Sequence, residues 1–152
     1  MRLYVASSWR NAYQPTVVLT LRDAQHEVYD FRNPGNGEQG FGWGRIDTSW
    51  QAWGVAEFRF ALRHPLAEHG FALDKAALDW CQACVLVLPS GMSAHLEAGW
   101  CAAKGKPVVI YAPELKEAEL MYKLFDHDGA TPIFGNLSEM IDAIAAVAAR
   151  ER

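Results

Sequence analysis

The 152-residue chain lacks an excess of basic residues, a long apolar run and a large number of cysteines. Its net charge of −4, with Lys and Arg scattered along the chain, argues against a groove for polymeric nucleic acid and against a membrane-surface patch. No stretch approaches the roughly 20 apolar residues that a membrane-spanning helix needs. The opening segment, Met1–Ala6, has the pattern of a strand and not of a signal peptide, so we expect a cytoplasmic protein.

Common metal and cofactor signatures are missing as well. Cys81 and Cys84 form a C-x-x-C pair, but the one remaining cysteine is Cys101, so a four-ligand zinc site lacks ligands. Neither the Gly-rich dinucleotide-binding fingerprint nor a lysine-containing phosphate loop follows the first strand. We therefore expect no metal ion and no cofactor.

What the chain does contain is enough apolar sequence for one folded domain. Apolar residues make up 51% and charged residues 21% of the composition, which is typical of a globular protein. There is no internal repeat and no linker-like segment. The length and composition predict a single domain over residues 1–152.

Short apolar runs alternate with helical patterns along the chain. The predicted strands are Arg2–Ala6, Glu27–Phe31, Cys84–Leu88, Val108–Tyr111 and Thr131–Phe134. The first predicted helix starts near Pro15. The other predicted helices are Trp50–Leu62, Lys75–Cys81, Ala94–Ala103, Glu114–Phe125 and Leu137–Arg150, and Leu66–Gly70 is predicted to be a connection. This alternation predicts an α/β fold: a doubly wound, five-stranded parallel sheet in the flavodoxin-like order 2-1-3-4-5.

A long Gly-rich segment, Asn33–Gly44, interrupts the regular pattern. Loops of this length inside a compact domain are uncommon and are often functional. The segment carries Phe41 and Trp43 among its glycines. These rings either stack on the base of a ligand or cover the edge of the core.

Glu97 is the strongest candidate for a functional side chain. It follows the third strand and a small-residue turn, in the first turns of the predicted helix, at the edge of the sheet where α/β proteins bind ligands. Partial positive charge at a helix amino terminus favours an ionised carboxylate, as a nucleophile or general base requires. Acidic residues are also common there without any function.

Further candidates lie near the same sheet edge. The carboxyl ends of strands one and three should be neighbours, and they deliver two polar sets: Ser7, Ser8 and Trp9, and Ser90, Gly91 and Ser93. The second set either binds a phosphate on backbone N–H groups or is a plain turn.

Three other side chains admit two interpretations each. Asp74 is either the N-cap of a short helix or a second carboxylate able to move a proton. Tyr4 either packs in the core or fixes a nearby carboxylate through its hydroxyl. His95 is two residues from Glu97 and points to another side of the helix, which favours a solvated or capping role.

Taken together, these residues resemble the nucleoside 2-deoxyribosyltransferase superfamily, including its small nucleotide N-glycosidases. Leu3–Trp9 is similar to the family's opening strand and loop. Asp74–Leu88, Glu97–Gly99 and Gly105–Val109 are similar to its central strand, nucleophile helix and next strand. The resemblance covers roughly the first 110 residues, and its specificity lies in the order and spacing of these short pieces.

The resemblance implies a double displacement at the anomeric carbon of a nucleoside or 5′-nucleotide. Glu97 would be the nucleophile and form a covalent glycosyl intermediate, Tyr4 would orient it, and Asp74 would protonate the departing base. Ser7, Ser8, Trp9, Ser90, Gly91, Ser93 and Trp43 would bind the substrate. The transferases often carry a sugar-binding Asp in the loop before the glutamate, where this chain has serines, and this favours a nucleotide.

The family resemblance also implies a homo-oligomer, with Met121 and Tyr122 as candidates for completing a neighbouring subunit's site. The six tryptophans in a chain of this size favour the same expectation. Two alternatives remain: a non-catalytic nucleotide-binding or sensor module on the same fold, and a structural protein whose Trp-rich surface is an interface.

Overall fold

The computed structural model describes residues 1–150. Five parallel strands form one sheet in the order β2-β1-β3-β4-β5, which confirms the predicted fold class and strand order. The strands are β1 Arg2–Ala6, β2 Glu27–Asp30, β3 Ala83–Val87, β4 Val108–Tyr111 and β5 Ile133–Phe134.

Residues 1–150 form five α-helices. They are α1 Gln14–Asp23, α2 Val55–Ala61, α3 Pro65–Trp80, α4 Met92–Ala103 and α5 Leu137–Arg150. Of these, α1 and α5 pack on one face of the sheet and α3 and α4 on the other. Three short 3-10 helices lie at Trp43–Arg45, Trp50–Ala52 and Leu120–Phe125.

The core has two layers because successive strand residues point to opposite faces. On one face, Tyr4 and Leu86 are fully buried against small residues of α3 and α4. On the other face, Val5 and Val85 pack with residues of α1 and α5. The helices α3 and α4 therefore share one face of the sheet, and this places their side chains beside each other at the carboxyl ends of β1 and β3.

The predicted short helix over Lys75–Cys81, with a connection before it at Leu66–Gly70, is wrong. Both segments belong to α3, which starts at Pro65. His64 caps this helix, because its side chain accepts a hydrogen bond from the Leu66 N–H. Gly70 does not break the helix but allows a close approach, because a Cβ there would lie 2.7 Å from the Cβ of Phe41. Asp74 therefore lies inside a helix and is not its N-cap.

Two other predicted helices are also shorter than expected. Trp50–Leu62 divides into a 3-10 turn and α2, because Gly54 begins α2 and its N–H donates to the Glu57 carboxylate. In Glu114–Phe125 only the last six residues form a 3-10 helix. Residues 114–119 are exposed, so an α-helix there would bury no apolar face against the domain.

Candidate active site

A cleft of about 700 Å³ opens at the carboxyl ends of β1 and β3. The loop after β1, the Gly-rich loop, α3 and the start of α4 each contribute to its walls. The lining residues are Ser7, Ser8, Trp9, Arg10, Phe31, Phe41, Gly42, Trp43, Gly44, Trp50, Asp74, Gly91, Met92, Ser93, Ala94 and Glu97.

Two carboxyl groups from different helices face this cleft, Asp74 on α3 and Glu97 on α4. Burial, and then the charge of Asp74, raise the pKa of Glu97 to about 8. Burial also raises the pKa of Asp74, against the effect of its hydrogen bond from Tyr29. Two like charges so close cannot both ionise readily, so at neutral pH the pair holds a proton.

The raised pKa of Glu97 departs from the expectation that the helix amino terminus keeps this carboxyl group ionised at neutral pH. Helix-dipole stabilisation fades beyond the first turn, and Glu97 lies in the second turn of a helix that begins at Met92. Desolvation and the neighbouring Asp74 outweigh it. In this environment the Glu97 carboxyl group can bind a proton near neutral pH, which suits a group that changes its protonation state during a reaction.

Two tyrosines lie beneath the carboxyl groups. Tyr29 on β2 donates its O–H to Asp74 Oδ1 over 2.8 Å. Its ring stacks on that of Tyr4, its register partner on β1, with 5.3 Å between ring centroids. The Tyr4 hydroxyl is buried and makes no hydrogen bond of ordinary length, but it is near enough to Glu97 to oppose the rise of that pKa.

The loop after β1 is tied to the end of β3 by hydrogen bonds. Ser7 Oγ donates to the Val87 carbonyl over 3.0 Å, and Asn11 Nδ2 donates to the Pro89 carbonyl over 2.8 Å. Arg32 Nη2 donates to the backbone carbonyls of Ser8 and Asn11. These bonds fix the position of the loop relative to α4, so the cleft floor is largely preformed.

Aromatic side chains form the wall opposite the carboxyl groups. Phe41 contacts the Trp43 ring edge to face at 4.8 Å between centroids, and Trp43 contacts Trp53 and Phe58 in the same way at 5.7 and 5.6 Å. The Trp9 indole N–H donates to the Phe41 carbonyl over 2.9 Å. The Gly-rich loop is thus packed against the domain and presents rings to the cleft.

Most of the predicted site residues meet in this cleft. Those that line it are Ser7, Ser8, Trp9, Trp43, Asp74, Gly91, Ser93 and Glu97. Tyr4 and Ser90 do not line it: Tyr4 is fully buried below, and the Ser90 hydroxyl is buried without a hydrogen-bond partner among residues 1–150.

Sequence reasoning missed several contributors to the site. Phe31 and Trp50 line the cleft, and Tyr29 bonds to Asp74. The position of Tyr29 could have been predicted, since strand order 2-1-3 places it beside Tyr4. Phe31 directly follows β2, so the strand order also places it at this edge of the sheet. Trp50 carries no local signal, because it reaches the cleft only through the fold of the chain after the long loop.

A second, more apolar groove of about 510 Å³ lies on the outer side of α4. Met121 and Tyr122, the candidates for a neighbouring subunit's site, line this groove and not the cleft. His95 bridges the Gly91 carbonyl and the Tyr122 hydroxyl, at 2.9 Å each, and so ties the start of α4 to the 3-10 helix at Leu120–Phe125. The predicted homo-oligomer stays a prediction.

Within residues 1–150, no group of three or more His, Cys, Asp or Glu side chains is placed to hold a metal ion. Over the same residues, every helix is too short or too polar to cross a membrane.

Neither protein-family models nor curated protein sequences match this chain. Solved structures do. A 2-deoxyribosyltransferase from the psychrotolerant bacterium Bacillus psychrosaccharolyticus is 20% identical, with a TM-score of 0.59 over 91% of this chain and 89% of that one. A CMP N-glycosidase from Clostridium botulinum is 17% identical, with a TM-score of 0.51 over 95% of this chain and 99% of that one. The chain therefore has the fold of these two enzyme structures along most of its length.

Proposed function

We propose that the protein cleaves or transfers the N-glycosidic bond of a nucleoside or 5′-nucleotide, through a covalent glycosyl intermediate on Glu97. The observation that carries this proposal is the pair of half-buried carboxyl groups, Asp74 and Glu97, which face one cleft and both have a raised pKa. The likeness in fold to a 2-deoxyribosyltransferase and to a CMP N-glycosidase supports it, as does the family resemblance of the motifs around these two residues.

The proposed reaction needs Glu97 as a carboxylate and Asp74 as an acid. Because the pKa of Glu97 is raised to about 8, a proton bound there must pass to Asp74 before or during attack. A Glu97 oxygen then bonds to the anomeric carbon while the bond from that carbon to the base nitrogen breaks. Asp74 gives its proton to the departing base, and the sugar remains as an ester on Glu97.

The second half of the reaction releases the sugar from the ester. In hydrolysis, Asp74, now a carboxylate, accepts a proton from water as the water oxygen attacks the anomeric carbon. Glu97 leaves as a carboxylate and the free sugar forms. In transfer, the nitrogen of a second base takes the place of water.

The walls of the cleft fit the two ends of such a substrate. Trp9, Phe41 and Trp43 offer ring faces and edges for the base, because nucleobases stack well on aromatic side chains. Ser8 and Ser93 offer hydroxyls near the start of α4, where sugar oxygens or a phosphate could be bound. Arg10 is the one basic side chain of the lining and would favour a 5′-phosphate.

The experiment that tests this function is incubation with matched nucleosides and 5′-nucleotides, with and without a second base, followed by chromatography. We expect free base, or an exchanged nucleoside when a second base is present. Glu97→Gln serves as the control, because it keeps the shape of the side chain and removes the nucleophile. Tight nucleotide binding without any base release would instead establish the non-catalytic module.

A further inference from the structure

Tyr29 is clamped in place beside Asp74. Strand β2 pairs with β1 so that Tyr29 faces Tyr4 in register, and the two rings stack at an interplanar angle of 23°. The Tyr29 hydroxyl donates to Asp74 Oδ1 over 2.8 Å. Among residues 1–150, Tyr29 is the side chain that donates a hydrogen bond to this carboxyl group.

We infer that Tyr29 is a positioning residue, which holds Asp74 in its cleft-facing orientation and stabilises the ionised form of its carboxyl group. The inference deepens the proposed function and rests on it, because it assigns a positioning partner to the proposed acid.

The physical reason is the different strength of one hydrogen bond in two protonation states. A phenol O–H donates more strongly to a carboxylate than to a neutral carboxyl group, so Tyr29 favours ionised Asp74. The Tyr4 hydroxyl acts on Glu97 in the same direction but more weakly, because it makes no hydrogen bond of ordinary geometry while Tyr29 makes one to Asp74. Burial, and then the charge of Asp74, raise the pKa of Glu97 to about 8.

Few other titratable groups surround the pair. Tyr4 of β1 and Tyr29 of β2 interact with both carboxyl groups. Cys84 of β3 and Asp30 of β2 act on these tyrosines, and Arg10 of the loop after β1 lines the same cleft. The reactive arrangement arises by transfer of one proton from the Glu97 carboxyl group to the Asp74 carboxylate, so the total charge is unchanged. Tyr29 opposes that transfer in the resting protein.

The test is a carboxyl titration that requires no substrate. In full-length protein labelled with ¹³C at aspartate carboxyl carbons, Asp74 is assigned as the signal lost in Asp74→Asn. We expect Tyr29→Phe, which keeps the stacked ring, to raise the titration midpoint of Asp74 by about one pH unit. Tyr111→Phe is the control, since Tyr111 is a buried tyrosine on the opposite face of the sheet and should leave the midpoint unchanged.

An unchanged Asp74 midpoint in folded Tyr29→Phe would overturn the inference. Should that variant fail to fold, fluorotyrosine at position 29, a stronger donor of the same shape, is expected to lower the midpoint instead. In the kinetics of base release, Tyr29→Phe should shift the alkaline limb of the kcat/KM profile to higher pH, with little change in KM. A purely structural role would lower kcat without shifting this limb. If Tyr29→Phe shifts the Asp74 midpoint while the wild type releases no base, the proposed function is contradicted and the effect of Tyr29 on Asp74 stands.

Discussion

The charge of Asp74 raises the pKa of Glu97, although the two carboxyl groups belong to different helices. Burial contributes the larger part of this rise, and together they bring the pKa to about 8. A carboxyl group that is neutral at pH 7 and faces a cleft is an unusual arrangement, and it makes the protonation state of Glu97 responsive near physiological pH.

The first prediction concerns stability. The folded-state pKa of Glu97 lies above its ordinary value of 4.5, so between pH 4.5 and about 8 the folded protein binds more protons than the unfolded chain. Its contribution to stability is thus present at low pH and lost as pH rises through this window. Glu97→Gln should therefore be more stable than wild type at pH 9 and similar at pH 4, as measured by urea unfolding. The same difference at both pH values would contradict the assigned pKa.

The second prediction concerns Asp74→Asn. Removing the Asp74 charge should lower the pKa of Glu97, so for substrates with good leaving groups the rise of kcat/KM should occur at lower pH. Substrates with poor leaving groups need the proton and should slow by roughly 100-fold or more. Rates for a series of substituted bases against pH measure both effects. Equal slowing of every substrate would exclude Asp74 as the acid.

The third prediction concerns the aromatic wall. Trp43→Leu should raise KM by about tenfold with a smaller effect on kcat, because stacking on the base is lost. Trp100→Leu is the control, since Trp100 lies outside the cleft between the Lys75 and Lys104 ammonium groups. Steady-state kinetics together with thermal melts separate binding from stability. An equal effect of both substitutions on KM would contradict a role for Trp43 in stacking on the base.

The fourth prediction compares two helical glycines. Gly99→Ala has open space and should raise the free energy of unfolding by up to about 1 kcal/mol, from the better helix propensity of Ala. Gly70→Ala should instead displace Phe41 and the Gly-rich loop, because the added Cβ would lie 2.7 Å from the Phe41 Cβ. Urea unfolding and proteolysis of the loop measure these effects. If the Gly-rich loop of Gly70→Ala resists proteolysis as well as that of Gly99→Ala, the close approach of Gly70 to Phe41 does not hold the loop in place.

The sheet and the location of the cleft could be predicted from the sequence. Apolar runs alternate with helical patterns, and parallel strands bring their carboxyl ends to one edge. That geometry is enough to place Ser7 and Glu97 near each other before any coordinates are known.

The remaining features depend on contacts that local patterns do not record. Gly70 resembles a helix breaker in sequence, but it marks the close approach of Phe41 to a continuous α3. The protonation of Glu97 depends on Asp74, which is distant in sequence and adjacent only in the fold.

The central claim is a glycosyl ester on Glu97, and mass spectrometry of a trapped intermediate tests it most directly. A 2-fluoro nucleoside or nucleotide analogue slows breakdown of the ester, because the electronegative fluorine destabilises the positively charged transition state. We expect the protein to gain the mass of one fluorinated sugar unit, and this mass to map to the peptide that contains Glu97. Glu97→Gln should gain no such mass. Base release by Glu97→Gln at the wild-type rate, or an adduct on another residue, would contradict this claim.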